Sequence, residues 1–242
     1  MKSLHESLIN TDTNLGQQLL DNSNCTDDKT IHVYFKDLEA RLLEHIAAAD
    51  VVVGCVAWLT SDTILEALSK KKGVSIVVQK EDFLRPDLDA KDDWKTKLRS
   101  RYSSLPSTLT RFDEGLKDTV LHMMSCAGDL TIQAVRCVGN HNSDKSPVFP
   151  RAHHKFVVFC KMVWEEKSDE KGEYRWNYQP YEVWTGSFNF TQNATKSFEN
   201  AIVIKNNRIV NAFYHEYAQI AALSEPLDWN SNWVAPEWRI GT

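Results

Sequence analysis

The sequence predicts an α/β fold in which a mixed, largely parallel sheet is flanked by helices. Residues 35–46 carry apolar side chains at helical spacing, and the pattern then changes to the continuous apolar run of residues 51–59. A second helical pattern and a second apolar run, residues 74–78, follow directly. Two buried strands joined by a helix of this length imply a parallel, right-handed crossover.

The helix between these two strands has recognisable ends. Ser61 or Asp62 can cap its start, because both side chains accept hydrogen bonds from the first free N–H groups of a helix. Its apolar face carries Ile64, Leu65 and Leu68. Three lysines followed by Gly73 suit its end, since positive charge favours the carboxyl end of a helix and glycine stops it. We therefore place the second strand directly after Gly73.

The second half of the chain contains four further strand patterns and a terminal helix. The strands are expected at residues 130–138, 152–163, 181–185 and 201–205. The apolar face of the helix carries Ile209, Phe213, Tyr217 and Ile220. Residues 30–242 are therefore expected to form one domain, which is long enough to bury a substantial core.

Three segments differ from this domain in composition. Residues 1–29 are polar and show no sustained periodicity, so we expect a flexible N-terminal tail. Residues 161–180 are charged around Lys171 and Gly172, which predicts a hairpin insertion, either a solvated protrusion or an arm that grips substrate or a partner. Residues 93–111 are rich in Lys and Arg, where a solvated helix is favoured over a polyanion-binding flank.

The composition narrows the class of protein. Charged residues make up 25% of the chain, and no apolar run approaches the roughly 18 residues of a membrane span. The amino terminus lacks the apolar core of a signal peptide, so a cytoplasmic location is expected. The five cysteines are irregularly spaced and indicate no disulfide framework. Because the net charge is −5, any polyanion site must be formed by local basic groups.

Metal and aromatic sites are weakly indicated. The potential zinc ligands are His122, Cys126, Cys137 and Cys160. They lack the paired short spacings of structural zinc sites, so ordinary packing is favoured and no metal is expected. The tryptophans beside predicted strands are Trp58, Trp164, Trp176 and Trp184. They could stack bases or line a lipid groove, although aromatics beside strands more often belong to the core.

His153 and Lys155 lie two residues apart in a predicted strand. Side chains at this spacing leave the same face of a strand, roughly 6–7 Å apart along it, so both can engage one phosphate. The neighbouring His154 points to the opposite face and would replace His153 if the register were shifted by one residue. A His-x-Lys spacing is expected by chance in a chain with 8 histidines and indicates little alone.

A second polar pair raises the weight of the first. The segment GSFNFT, residues 186–191, follows another apolar strand and repeats the two-residue spacing with Ser187 and Asn189. Both side chains are neutral hydrogen-bond donors. Thirteen residues after Gly186, Glu199 stands just before the apolar run at residues 201–205, where a carboxylate could orient an imidazole.

The order HxK, GSxNxT and an acidic residue before a final strand resembles the HKD half-site of the phospholipase D superfamily. The chain is most similar in character to the small single-motif nucleases of that superfamily, and the motif-bearing match covers residues 151–205. The resemblance implies a phospholipase D-like catalytic domain. It also implies a metal-independent phosphodiesterase that needs no cofactor.

The resemblance assigns a role to each site residue. His153 would attack phosphorus and form a phosphohistidine, while a second histidine protonates the leaving group and activates water. Lys155 and Asn189 would hold the non-bridging oxygens, with a further hydrogen bond from Ser187. Glu199 would fix the tautomer of the histidine. Because the chain contains a single half-site, a symmetric homodimer with the site across its two-fold axis is expected.

One departure from the family pattern and two alternatives remain. The family has Asp where this chain has Cys160, which leaves open a catalytically silent scaffold. The favoured function is an endonuclease that hydrolyses DNA or RNA, because no membrane anchor is found in this short chain. A phospholipase or cardiolipin-type hydrolase shares the chemistry and is the alternative enzyme.

Overall fold

The structure is a computed structural model, which describes residues 2–9, 17–85, 93–107, 133–166 and 171–235. The helices are α1 Leu38–Ala48, α2 Asp62–Ser69, α3 Asp93–Ser103 and α4 Asn207–Leu223. The strands are β1 Leu8–Ile9, β2 Gln17–Gln18, β3 Asn24–Cys25, β4 Ile31–Tyr34, β5 Val51–Val56, β6 Gly73–Gln79, β7 Val135–Val138, β8 Lys155–Glu166, β9 Tyr174–Gly186 and β10 Ala201–Ile204.

Eight of these strands form one mixed sheet. Their order across the sheet is β3, β4, β10, β9, β8, β5, β6, β7. Strands β5, β6 and β7 run parallel to one another, and each remaining pair of neighbours is antiparallel. The short strands β1 and β2 pair separately.

The predicted α/β class and the flanking helices are confirmed, and the sheet is mixed. The parallel part is smaller than expected, however, because among the described strands only two of the seven pairings in the large sheet are parallel. The predicted crossover from β5 through α2 to β6 accounts for one of them. Strands β8 and β9 follow each other closely in the chain and must therefore run antiparallel.

Helices cover both faces of the sheet. Alternate residues of β5 show this arrangement, since Val52 packs on the side of α1, α2 and α3 while Val51 and Val53 pack on the side of α4. Helix α2 begins after Ser61, whose hydroxyl accepts from the N–H of Ile64 at 3.4 Å, as predicted. It ends at Ser69 rather than at Gly73, because the three lysines form a turn before β6.

Several sequence-based boundaries shift in the structure. Strand β3 lies within the predicted tail and pairs with β4, so the sheet extends beyond the boundary placed at residue 29. Strands β8 and β9 pair as far as Glu166 and Tyr174, within the predicted insertion. The expected strand at residues 152–163 begins at Lys155. Residues 108–111 of the basic segment lie outside the described residues, and so do residues 130–132, with which the predicted strand 130–138 would begin.

One edge of the sheet collects the ends of four strands. Val56 at the end of β5 is opposite Lys155 at the start of β8. Gly186 at the end of β9 is opposite Ala201 at the start of β10. Because β8 and β9 are themselves neighbours, the segments that flank these ends meet at this edge. Across the described ranges, no helix has the length and apolar character that a membrane span requires.

Candidate active site

The edge described above brings the sequence-predicted site residues into one region. Lys155 opens β8, Ser187 directly follows β9, and Glu199 stands two residues before β10. Asn189 lies in the loop after β9, and His153 lies just before β8. Residues that are up to 46 positions apart in the chain are thus gathered by the antiparallel pairing of three neighbouring strands.

Lys155 is an unusually buried cation. Lys155 is 8% exposed, and its Nζ donates a hydrogen bond to the carbonyl oxygen of His153 at 3.0 Å. Burial lowers the pKa of Lys155, and the charge of Arg151 lowers it further, whereas the carboxylate of Glu199 raises it. An ammonium group held in this way can attract an anion without first losing a full shell of water.

Ser187 and Glu199 form a hydrogen-bonded pair. The hydroxyl of Ser187 donates to Oε2 of Glu199, and it accepts from the N–H of Asn200 at 3.0 Å. The N–H of Ser187 also donates to the carbonyl oxygen of Asn200 at 3.1 Å. The position of this hydroxyl is therefore fixed by three contacts with the segment that leads into β10.

Glycine is required at position 186 because another part of the backbone approaches it closely. A Cβ atom at Gly186 would lie 2.2 Å from the carbonyl oxygen of Asn200 and 2.8 Å from Cα of Ala201. The absence of a side chain lets the start of β10 pass against the end of β9. This close approach places Ser187 beside Glu199.

The two sequence neighbours of Asn189 are buried phenylalanines. Phe188 and Phe190 are each 1% exposed, and the N–H of Phe190 donates to the carbonyl oxygen of Trp58 at 3.1 Å. These anchors turn Asn189 toward a groove at the sheet edge, where it is one of the lining residues. Its Oδ1 atom is buried and has no hydrogen-bond partner within the described residues. An acceptor at this position can be satisfied by a donor group of a bound ligand or by water.

His153 is exposed and lies edge-on to Trp58. The two ring centroids are 6.1 Å apart at an interplanar angle of 83°. Loss of hydration lowers the pKa of His153 from its ordinary value, and the charges of Lys155 and Arg151 lower it further. The imidazole is therefore favoured in its neutral form at neutral pH, which is the form that a nucleophile requires.

His154 occupies the opposite face, as the strand spacing predicts. Its Nε2 lies 3.8 Å from Oε1 of Glu216 on α4, and its ring contacts Phe156 edge-on at 5.5 Å. These contacts direct His154 away from Lys155 and Ser187. The register therefore leaves His153 as the histidine on the side of the other site residues.

Glu199 contacts different groups from those expected. Its carboxylate accepts from Ser187 and is close enough to Lys155 to raise its pKa. Both effects position groups that would bind an anion. The role of Glu199 in fixing the tautomer of a histidine stays a prediction.

The groove beside these residues has a volume of about 550 Å³ and aromatic walls. The residues that line it include Trp58, Phe83, Trp94, Asn189, Thr191 and Glu199. Phe83 and Trp94 were not among the predicted site residues, since they are distant in sequence from the HxK and GSxN segments. Two signals were available: Trp58 follows β5 at the edge where β8 begins, and Trp94 lies in the basic segment 93–111, for which a polyanion-binding flank is the alternative interpretation.

Two of the potential zinc ligands, Cys137 and Cys160, cannot bind the same ion. Cys137 is buried in the core on the side of α1 and α2, whereas Cys160 is buried in the core on the side of α4. Thiols on opposite faces of one sheet cannot bind the same ion. His122 and Cys126 lie outside the described residues.

Comparisons with known proteins give one relative in sequence and several in structure. No protein-family model matches the chain. Among solved structures, the chain is similar to Nuc of Salmonella typhimurium, a phospholipase D family member, with a TM-score of 0.45 and 17% identity over 81% of this chain and 95% of Nuc. It is also similar to NucT of Helicobacter pylori, with a TM-score of 0.49 and 12% identity over 81% of this chain and 98% of NucT.

The sequence relative is much more similar. The chain is 34% identical over 211 residues to the uncharacterized protein L381 of Acanthamoeba polyphaga mimivirus. The alignment covers 84% of this chain and 69% of the viral protein. Identity of this degree over most of both chains means that the chain belongs to the same protein family as the mimivirus protein L381.

Proposed function

We propose that this protein is a metal-independent phosphodiesterase, an endonuclease that hydrolyses DNA or RNA through a phosphohistidine at the interface of a homodimer. One observation carries the proposal. At a single edge of the sheet lie a neutral-favoured histidine, a buried lysine, a fixed serine hydroxyl and the side chain of Asn189, which lines the adjoining groove. These groups supply a nucleophile and the donors that a phosphodiester requires.

The reaction divides into two displacements at phosphorus. A ring nitrogen of the neutral His153 forms a bond to phosphorus, the bond to the leaving oxygen breaks, and that oxygen takes a proton from the equivalent histidine of a second copy, which must enter the step protonated. Water then attacks phosphorus and gives a proton to that second histidine, and the bond between phosphorus and His153 breaks. His153 is thereby neutral again and the second histidine is protonated again. Lys155 and the amide group of Asn189 stabilise the non-bridging oxygens in both steps, and the hydroxyl of Ser187 joins them when it turns its proton from Glu199 to the phosphate.

The replacement of the family Asp by Cys160 removes no group from this region. Cys160 is 0% exposed and packs in the core under α4. It lies five residues along the strand from Lys155, about 16 Å away at the rise of a β-strand. The change from Asp to Cys160, which suggested a silent scaffold, therefore lies in the buried core and away from the proposed site.

A lipid phosphodiesterase is a second candidate, favoured by a cavity on the other side of His153. This cavity has a volume of about 310 Å³. Its wall includes the apolar side chains of Val77, Val138 and Ile220. An acyl chain could enter it while the headgroup phosphate meets His153.

The decisive experiment measures hydrolysis without metal. Purified protein is incubated in excess EDTA with plasmid DNA, with RNA and with vesicles that contain cardiolipin. We expect nucleic acid to be cut in EDTA and the His153→Ala variant to lose at least about a thousandfold in rate, because it lacks the nucleophile.

The matched control is His154→Ala, which alters the adjacent histidine on the opposite face and should retain cleavage. Cleavage that requires added metal, or that survives in His153→Ala, would contradict the mechanism. Hydrolysis of the vesicles alone would favour the lipid enzyme. Inactivity of the folded protein on all three substrates would indicate a scaffold.

A further inference from the structure

The groove beside the candidate active site presents aromatic faces to solvent. Trp94 on α3 is 49% exposed, although tryptophan is a costly side chain to leave in water. Phe83 lies against it, with ring centroids 5.6 Å apart at an interplanar angle of 41°. Trp58 contributes a third ring, whose orientation is fixed by a hydrogen bond from its Nε1 to Glu81 at 3.1 Å. The exposed ring of Trp94 is therefore supported from behind and has one side open.

The groove is continuous with the proposed phosphate site. Trp58 contacts His153, and the groove is lined by Asn189, a proposed catalytic residue, and by Glu199, which holds the hydroxyl of Ser187. A nucleotide whose phosphate is bound by His153 and Lys155 would therefore have its base or sugar directed toward these rings. A volume of about 550 Å³ falls within the range of pockets that bind small organic ligands.

The polar groups of the groove suit a base more than a phosphate. The lining residues with neutral polar side chains are Thr60, Asn189, Thr191, Asn193 and Ser197. Among the described residues that line it, Glu199 is the one with a charged side chain, and it would repel a second phosphate. The exposed Lys97 lies three residues after Trp94 on α3, so it is a neighbour of Trp94 on the helix surface and can meet the adjoining phosphate.

An aromatic wall of this kind favours single-stranded over double-stranded nucleic acid. In a duplex, each base face is covered by its neighbours, so a side chain can stack only on a base that has left the helix. We infer that the substrate is a single-stranded nucleic acid, one of whose unstacked bases stacks on Trp94 in the groove. This inference rests on the proposed function, and it narrows the substrate class.

The test measures binding separately from cleavage. The His153→Ala protein, which cannot turn over, is titrated in EDTA against a fluorescent thymidine 12-mer, an abasic 12-mer with the same phosphates, and a 12-base-pair duplex. We expect the thymidine strand to bind at least about tenfold more tightly than the abasic strand, because this is the usual effect of stacking one base on an aromatic residue. The duplex should bind no better than the abasic strand.

Substitutions locate the effect. Adding Trp94→Ala should weaken binding of the thymidine strand about tenfold and leave the abasic strand unchanged, because only stacking is lost. Trp94→Phe should retain most of the affinity. Trp164→Ala, which changes an exposed tryptophan on the hairpin of β8 and β9, is the matched control and should bind as the parent does.

Two results would overturn the inference. Equal affinity for the thymidine and abasic strands shows that no base is held, and preferential binding of the duplex excludes a single-strand site. If either occurs while the unmodified protein cuts nucleic acid in EDTA, the proposed function stands and the inference alone fails. If binding depends on Trp94 but cleavage requires metal, the proposed function fails and the groove is a binding site.

Discussion

At the scale of single residues, the charge of Lys155 depends on its surroundings. Its burial favours the neutral amine, and the carboxylate of Glu199 opposes this effect. The same carboxylate accepts the hydrogen bond of Ser187. Glu199 thus acts on the proposed site through two other side chains, which makes it a positioning residue.

Removal of this carboxylate should move the alkaline limit of activity. In Glu199→Gln, the negative charge that raises the pKa of Lys155 is lost, so the lysine loses its proton at a lower pH. We expect the alkaline limb of the profile of kcat/KM against pH to move to lower pH. We also expect activity at neutral pH to fall about tenfold, because a charged hydrogen-bond acceptor is removed from Ser187.

Glu216→Gln is the matched control for this measurement. Glu216 is near His154 on the opposite face of the sheet and does not contribute to the pKa of Lys155. The alkaline limb of the Glu216→Gln variant should coincide with that of the parent protein. An alkaline limb that stays in place, or that moves to higher pH in Glu199→Gln, would contradict the proposed coupling.

The local pattern of the site is readable from sequence because it depends on short spacings. A strand alternates its side chains, so His153 and His154 were expected on different faces. Both lie just before β8, and their rings contact different groups, Trp58 and Phe156. The pairing of Ser187 with Glu199 could not be obtained in this way. It depends on the register between β9 and β10, which sequence spacing alone does not specify.

At the scale of elements, the contact between β9 and β10 positions the second half of the site. The two strands are antiparallel, and the pair of Gly186 with Ala201 ends their ladder. Ser187 and Asn200 then exchange hydrogen bonds just beyond it. The site thus depends on how closely these two backbones approach each other.

A methyl group at position 186 should disturb this contact. In Gly186→Ala, the new Cβ would overlap backbone atoms of Asn200 and Ala201, which cannot move away as a side chain can. We expect a loss of about 1–3 kcal/mol in the free energy of unfolding, the usual cost of overpacking. Urea denaturation measures this loss, and cleavage in EDTA should fall by a larger factor than the stability change explains.

Gly172→Ala is the appropriate comparison. Gly172 lies near the tip of the hairpin with φ of +88° and has open space where a Cβ would stand. Its substitution should cost about 1 kcal/mol through backbone strain and leave cleavage unchanged. Equal stability and equal activity of Gly186→Ala and the parent protein would show that the close approach does not hold the site.

The order of the strands marks a limit of prediction at this scale. Helix α2 and strands β5 and β6 follow one another closely, and their parallel crossover was predicted correctly. The position of β8 between β5 and β9 was not predicted, because it joins segments about a hundred residues apart. Apolar runs indicate that a strand is buried, but they do not identify its neighbour.

At the scale of the whole molecule, three long-range contacts of Lys80 hold the site edge in place. Lys80, at the end of β6, is fully buried and forms an ion pair with Glu225 at 2.6 Å. Its Nζ also donates to the carbonyl oxygens of Ser231 and Trp233. The segment after α4 is thereby tied to the same end of the sheet as Trp58 and Gln79. A buried cation with three acceptors fixes this segment firmly, because separating the charges is costly.

The proposed chemistry requires two histidines, whereas each chain offers one HxK segment. His153 is exposed at the edge of its own chain, so it can meet a second copy there. A two-fold axis beside this edge would bring both half-sites together, because a symmetric interface joins the same surface of both copies. The oligomeric state and the activity should therefore be inseparable.

Mixing experiments test this dependence directly. When the unmodified protein and His153→Ala are mixed in equal amounts and allowed to exchange subunits, about one quarter of the dimers contain two intact histidines if pairing is random. We expect the activity per unmodified chain to fall to about half of its value before mixing. Chains that act alone would keep their full activity. Dimers with one shared site in which a single histidine suffices would instead show about 1.5 times the activity per unmodified chain, because about three quarters of the dimers would then be active. A mixture with the His154→Ala variant should show no loss, because that variant contributes an intact half-site, and analytical ultracentrifugation of each sample confirms that dimers are present.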